Sequence, residues 1–359
     1  MKPEDYITRE EKYGAHNYHP LPVVLRRGEG VFVWDVEGKR YFDFLSGYSA
    51  LSQGHCHPKI VKALMEQAER LTLVSRAFHA DILGEYMEFT CKFFGYDKLL
   101  PMNTGAEAVE TALKLCRRWG YRRKGVAPER AKIVVCSENF HGRTITIISM
   151  STDPSSYADF GPYTPGFIKI PYNNVDALAE ALKDPDAVGF LVEPIQGEAG
   201  VVVPDDGYLR ACYDLCHQKN VLFIADEIQT GIGRTGKLLA CDYEGIRPDI
   251  LILGKALSGG VSPVSAVLAD DEIMLTIAPG EHGSTYGGNP LAAKVAIAAL
   301  EVVRDEHLSE NAFKMGELFR GEMERINNPM IKKVRGKGLL NAVVTEPKDG
   351  KTAWDLSLI

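Results

Sequence analysis

Short apolar runs recur along the chain, each closed by polar or glycine-containing residues: Ile133–Cys136, Ala187–Ile195, Val221–Ile224, Ile250–Leu253 and Ser265–Ala269. Runs of aliphatic and β-branched residues without polar alternation predict strands buried on both faces, the habit of a parallel sheet covered by helices. Between the runs, apolar residues fall at helical spacing. Ile60, Leu64, Ala68 and Leu71 predict an amphipathic helix with Pro58 in its first turn, and Val109, Leu113 and Cys116 share one face of a helix that follows the capping turn Asn103-Thr104-Gly105-Ala106. Gly207–Asn220 predicts a helix returning the chain to Val221 in a right-handed strand-helix-strand unit, and Pro290 opens a long helix to about Arg304. Residues 30–44 alternate apolar and polar around Glu37-Gly38, which predicts a β-hairpin. The pattern as a whole predicts an α/β fold, a mostly parallel sheet flanked by helices.

Two of these strands end in residues that are costly to bury alone, Asp226 after Val221–Ile224 and Lys255 after Ile250–Leu253. Ligands of parallel sheets gather at the strands' carboxyl ends. A lysine among apolar neighbours can lose its proton near neutral pH and attack a carbonyl, and an aspartate nearby can keep a pyridine nitrogen protonated. That pair is what pyridoxal phosphate (PLP) asks of a protein. Taken singly, Lys255 also reads as a solvated loop lysine and Asp226 as a cap for the next turn. Their order on successive strands, with Gln229 beyond the aspartate, favours the chemical reading.

Composition narrows the classes. With 45% hydrophobic and 25% charged residues over 359 positions, the chain is ordinary globular material with room for more than one domain. No apolar run approaches the roughly 18 residues that span a bilayer, and a net charge of -7 argues against nucleic acid and for a small-molecule partner. The seven cysteines form no C-x-x-C pair, which predicts a reducing compartment and buried thiols. His55-Cys56-His57 and Cys212/Cys216 lack the spacing of a zinc site, so no metal is expected. The acidic start MKPEDYITREEKYG lacks a transit-peptide or secretory pattern and predicts a cytoplasmic protein, with the mitochondrial matrix as the alternative if a presequence is missing.

VEPIQGEAGVVVP, FIADEIQTGIGRTG, LGKALSGG and HGSTYGGNP resemble the signature segments of the class III, or omega, aminotransferases, and YGAHNYHPLPVV, QGHCHP, PMNTGAEAVETALKL and NFHGRT extend the resemblance over nearly the whole chain. It implies a fold-type I PLP enzyme. Lys255 would bond the cofactor and move the proton. Asp226 would serve the ring nitrogen, Gln229 the phenolic oxygen, and Phe140 would stack on the ring. Gly105 and Ala106, at a helix start whose free N–H groups suit an anion, would take the phosphate. Ser284 and Thr285 would reach the phosphate of a neighbouring subunit, implying a homodimer or higher homo-oligomer.

The same resemblance gives Tyr18, Tyr48, Arg143 and Glu198 to the substrates: the tyrosines contact them, Arg143 grips the distal carboxylate of the oxo-acid, and Glu198 is a gating acid paired with a second arginine. A planar guanidinium holding a carboxylate by two parallel bonds makes physical sense of Arg143. Each of these residues also has a plain reading, as packing aromatic, turn residue, N-cap or solvated charge. The implied reaction moves the δ-amino group of ornithine to 2-oxoglutarate, giving glutamate semialdehyde and glutamate. Acetylornithine or 4-aminobutyrate are the alternative donors, and a dehydrogenase is disfavoured because no G-x-G-x-x-G opens a helix after a strand.

The expected organisation is an N-terminal segment with the hairpin over 1–48, a large PLP-binding domain over 49–290, and the start of a small α+β domain over 291–359. Against the family pattern that last domain is incomplete: KTAWDLSLI stops partway into an expected helix, and no residue corresponds to the second arginine. A catalytically impaired product, or a non-enzymatic oligomerising partner, is the reading that this departure motivates.

Overall fold

The apolar runs pair into one seven-stranded sheet in the computed structural model, which describes residues 1–348 and 350–358. Ahead of it, β1 (Leu25–Glu29), β2 (Phe32–Asp35) and β3 (Arg40–Phe42) form a small antiparallel sheet. β2 and β3 are the expected hairpin. The Asp35 carboxylate closes its turn by accepting from the Glu37 and Lys39 N–H groups and the Tyr41 hydroxyl. β1 escaped the sequence pattern because its LRRGE stretch is exposed at all but one position and carries no apolar alternation.

The large sheet holds β4 (Lys98–Met102), β5 (Lys132–Cys136), β6 (Phe167–Ile170), β7 (Ala187–Val192), β8 (Leu222–Asp226), β9 (Ile250–Leu253) and β10 (Ser265–Ala269) in the order β4-β10-β9-β8-β7-β5-β6. β5 to β9 run parallel, and β10 runs against both its neighbours. The reason is the connection. Gly254–Val264 holds one 3₁₀ turn, Lys255–Ser258, and is too short for the crossover that a parallel return requires. β4 and β6 lay outside the sequence expectation; β4 carries Pro101, tolerated because β4 is an edge strand.

Alternate side chains of each central strand serve opposite faces. Leu222, Ile224, Ile250, Ile252, Val267 and Ala269 join the helix Gly105–Trp119 in one cluster. The opposite face is divided: Phe223 and Ala225 pack with the helix Tyr208–Gln218, whereas Leu251, Leu253, Ala266 and Leu268 pack with the helices Asp81–Phe94 and Pro290–Asp305. The helix Pro58–Ala68 lies against Pro290–Asp305; it ends before Leu71, which is exposed. Six cysteines are buried as expected, but Cys56 is exposed, because its backbone turns through a left-handed conformation just outside that helix. At the C-terminal end, the helix Leu308–Arg325 is followed by an antiparallel pair, β11 (Ile331–Lys337) and β12 (Leu340–Thr345), and a short helix Ala353–Ser357.

Helix Gly105–Trp119 approaches the sheet closely because β7 offers no side chain at its centre. A Cβ on Gly189 would stand 2.4 Å from Cys116 Sγ and 3.2 Å from Ile224 Cδ1. Gly189→Ala is therefore expected to cost about 1–3 kcal/mol of stability through overpacking, with part of the loss recovered in Gly189→Ala/Cys116→Ala. Thermal unfolding of the two variants checks both outcomes.

Candidate active site

Five chain segments leave the sheet at the carboxyl ends of β4, β5, β7, β8 and β9, and all five contribute to one cavity of about 220 Å³. From β4 comes the helix start Gly105-Ala106, from β5 Phe140, His141 and Gly142, from β7 Glu193 and Ile195, from β8 Asp226, Ile228, Gln229 and Thr230, and from β9 Lys255. The parallel register sets Asp226 beside Ile252, so the ends of β8 and β9 lie side by side and the aspartate and lysine reach the same space.

Lys255 follows Gly254 directly and takes a left-handed φ of 42°, a conformation that turns the chain sharply out of the strand. Burial pulls its ammonium below the ordinary lysine range, against the opposing charges of Glu198, Asp226 and Glu193 and with the help of Arg234. The structure thus supplies the condition that makes a lysine nucleophilic.

Asp226 is 4% exposed and its carboxylate is fully engaged on the protein side. One oxygen accepts from the Ile228 N–H at 3.1 Å, and the other pairs with His141 Nδ1 at 2.6 Å. Burial alone would drive the His141 imidazole toward neutrality, but the bond to Asp226 and the charges of Asp226 and Glu193 outweigh it and raise its pKa. Its Nε2 is buried without a partner among the described residues. Glu193 is also buried; desolvation pushes its carboxyl up to about 7, while the Phe140 N–H donates to it at 2.8 Å. His141 and Glu193 went unmarked in the sequence because a lone histidine and a strand-end acid have many ordinary uses, and only folding brings them to Asp226.

At the opposite end, Thr104 caps the helix by accepting from the Glu107 N–H, and Glu107 answers by accepting from the Thr104 N–H at 2.8 Å. The N–H groups of Gly105 and Ala106 precede the first intrahelical bond, and both residues line the cavity. This end can hold an anion. Gln229 stands after β8 in a turn, and its amide donates to Glu198 Oε1 at 3.2 Å. Gly197 makes that placement possible, since a Cβ there would lie 1.4 Å from Gln229 Oε1. Glu198 is exposed.

Arg143 lies outside the lining but close to it, its guanidinium 5.5 Å from the Phe140 ring centroid and held by Ser156 Oγ at 2.9 Å. The other expected residues are not brought into the cavity. Tyr18 is 79% exposed and Tyr48 52% exposed. Ser284 Oγ instead accepts from Asn103 Nδ2 and the Gly287 N–H, both at 3.0 Å, and Thr285 is exposed. Among the described residues no cluster of three or more metal-ligating side chains occurs.

The cavity's donor set suits PLP: an anion-binding helix start, a buried carboxylate, an aromatic flank at Phe140 and a lysine of depressed basicity at one wall. The aminotransferase class-III family model matches residues 13–357. A mitochondrial ornithine aminotransferase of Drosophila ananassae is 64% identical over 99% of this chain and 82% of its own length. Among solved structures, a Toxoplasma gondii ornithine aminotransferase, described with PLP partly occupying its active site, superposes with a TM-score of 0.95 at 52% identity, covering 96% of this chain and 82% of that one. An acetylornithine aminotransferase of Elizabethkingia anophelis superposes with a TM-score of 0.91 at 58% identity, covering 100% and 88%. With a family match over most of its length and relatives of this identity, the chain belongs to the class-III aminotransferases, whose cofactor is pyridoxal 5′-phosphate.

Proposed function

We propose that this protein transfers the δ-amino group of L-ornithine to 2-oxoglutarate, yielding glutamate 5-semialdehyde and glutamate. The observation that carries the reaction class is the Lys255 amine, buried and of lowered basicity, in one cavity with the Asp226 carboxylate. The choice of ornithine is supported by the fly and Toxoplasma relatives, whose names carry that substrate.

PLP supplies an aldehyde to bond amines and a protonated pyridine ring that withdraws electrons from the reacting carbon. The chain's own residues do the rest. Asp226 would serve the ring nitrogen and keep it protonated, while His141 fixes the carboxylate's orientation at 2.6 Å. Gly105 and Ala106 would donate N–H groups to the phosphate, Phe140 would cover a ring face and Gln229 would serve the phenolic oxygen. Lys255 would hold the cofactor through its amine and, with an amino donor in the cavity, would serve as the base that takes up and returns a proton there. Arg143 receives the distal carboxylate of 2-oxoglutarate; Glu198, Tyr48 and Tyr18 border the donor.

A homodimer or higher homo-oligomer is part of this reading, with Ser284 and Thr285, which stand outside their own cavity, serving the phosphate site of a neighbouring subunit. No helix among the described residues is long and apolar enough to cross a membrane. The proposed compartment is the cytosol, and the fly relative's name carries the mitochondrial alternative.

Acetylornithine is the second reading, favoured by the Elizabethkingia structure. Purified protein supplied with PLP and 2-oxoglutarate is expected to form semialdehyde from ornithine, read by o-aminobenzaldehyde trapping; glutamate formed from acetylornithine alone would replace the first reading with the second. Asp226→Asn is expected to lower kcat by about 10²-fold or more, the scale of a lost preorganised charge, while the bound cofactor's absorbance persists; an unchanged kcat would remove Asp226 from its role.

A pH effect follows from Glu193. Its carboxyl sits at about 7 in the folded chain against an ordinary 4.5, so folding retains a proton that the unfolded chain has lost between those values. The stability from that proton is full below the lower value and declines as pH rises to the upper one. In cofactor-free protein, Glu193→Gln is expected to gain stability on wild type across that window and level off above it, by about 3 kcal/mol at most. Thermal unfolding from pH 4.5 to 8.5 measures the gap.

A further inference from the structure

Four consecutive residues beside the site adopt left-handed backbone conformations: Ser46 at φ 53°, Gly47 at 55°, Tyr48 at 55° and Ser49 at 78°. Only one is glycine. Such a turn is sterically costly for L-residues and persists where its surroundings over-determine it. This one packs against the Lys255–Ser258 turn, and just beyond it Gln53 donates to the Ala256 carbonyl at 2.9 Å.

The restraints on the turn converge on Ser46. Asp43 accepts from the Leu45 and Ser46 N–H groups at 2.9 and 2.8 Å, and its second oxygen pairs with His55 Nε2 at 2.7 Å. The Ser46 hydroxyl donates to the Leu51 carbonyl at 3.1 Å and accepts from Arg234 Nη2 at 2.9 Å. Arg234 is 8% exposed, and Asp43 is the carboxylate whose charge bears on it. Its Nε is buried without a partner among the described residues. On its far side, the Leu339 N–H donates to the Arg234 carbonyl at 3.0 Å, and Nη1 points at the Leu339 carbonyl at 3.5 Å. Gly338 presses on the same segment, a Cβ there lying 2.2 Å from the Thr235 carbonyl carbon. A buried guanidinium thus joins the turn that carries Tyr48 to the connection between β11 and β12.

We propose that Arg234 is a positioning residue for the amino donor: by holding Ser46 it keeps the left-handed turn formed, and through the turn it aims Tyr48 at the donor's carbon chain. This rests on the assignment of ornithine as donor. A solvated surface turn would need no buried cation; this one has a cation placed where burial without an ion pair is costly, which is the mark of a restraint. Arg234 also adds a positive charge near Lys255, in the direction that keeps the amine free of its proton.

Kinetics of PLP-loaded Arg234→Met, Arg234→Lys, Ser46→Ala and Arg234→Met/Ser46→Ala test the proposal. Losing a charge-assisted hydrogen bond predicts a rise of about tenfold or more in the donor KM for Arg234→Met, with the 2-oxoglutarate KM moving less than about threefold. Arg234→Lys, which keeps the charge and one donor, should fall between Met and wild type. Ser46→Ala should shift the donor KM the same way, and the double variant should be no worse than Arg234→Met alone, because both remove one restraint. Arg234→Met/Ser49→Gly should recover part of the donor KM, since glycine enters the left-handed region freely.

An unchanged donor KM, equal loss toward both substrates, or an additive double variant overturns the proposal. If Arg234→Met does not fold, Ser46→Ala and Ser46→Ala/Ser49→Gly carry the same comparison. Should wild type turn over another donor and not ornithine, the substrate assignment fails, and the KM comparison with the accepted donor still decides the role of Arg234.

Discussion

A sheet covered by helices on both faces leaves polar groups few places to go, and the carboxyl ends of its parallel strands are the main one. Between the Gly105–Trp119 helix on one side and the opposing pair of clusters on the other, β7, β8 and β9 are buried at every position. Their polar continuations, Glu193, Asp226 and Lys255, emerge where the sheet stops. The site is the place where a thoroughly apolar core first meets backbone and side-chain donors, and its chemistry follows from that boundary.

Electrostatics at the boundary sorts the charged groups by partner. Asp226 is held by the His141 imidazole and the Ile228 N–H. Glu193 accepts from the Phe140 N–H, yet desolvation prevails and drives it toward its neutral form. Lys255 is surrounded by three acids that favour its proton and by desolvation that opposes it, and desolvation prevails. One burial effect therefore acts on Glu193 and Lys255 alike, in the direction that removes the charge of each.

Close approach is the second constraint, and glycine carries it at specific positions. Gly189 lets the Gly105–Trp119 helix settle on β7, and Gly197 leaves room for the Gln229 amide. Elsewhere the backbone is held in left-handed turns by side chains, as at Ser46–Ser49, where Asp43 and Arg234 supply from outside what glycine would supply by permissiveness.

The sequence by itself determined the strands that are apolar throughout, β5, β7, β8, β9 and β10, and the helices with a regular stripe, because period and composition are local properties. It also marked Lys255 and Asp226, since charged residues that close apolar strands stand out along the chain. β1, β4 and β6 were not legible: their residues are exposed, interrupted by Pro101 or only half-buried, so no pattern distinguishes them until a neighbour pairs with them. The reversed direction of β10 was hidden in the shortness of one connection. The partners of the functional groups lay beyond sequence altogether, because His141 is far along the chain from Asp226, Gly197 from Gln229, and Arg234 from Ser46. Distance in space between such residues is set by how the layers pack, and only the tertiary structure decided it.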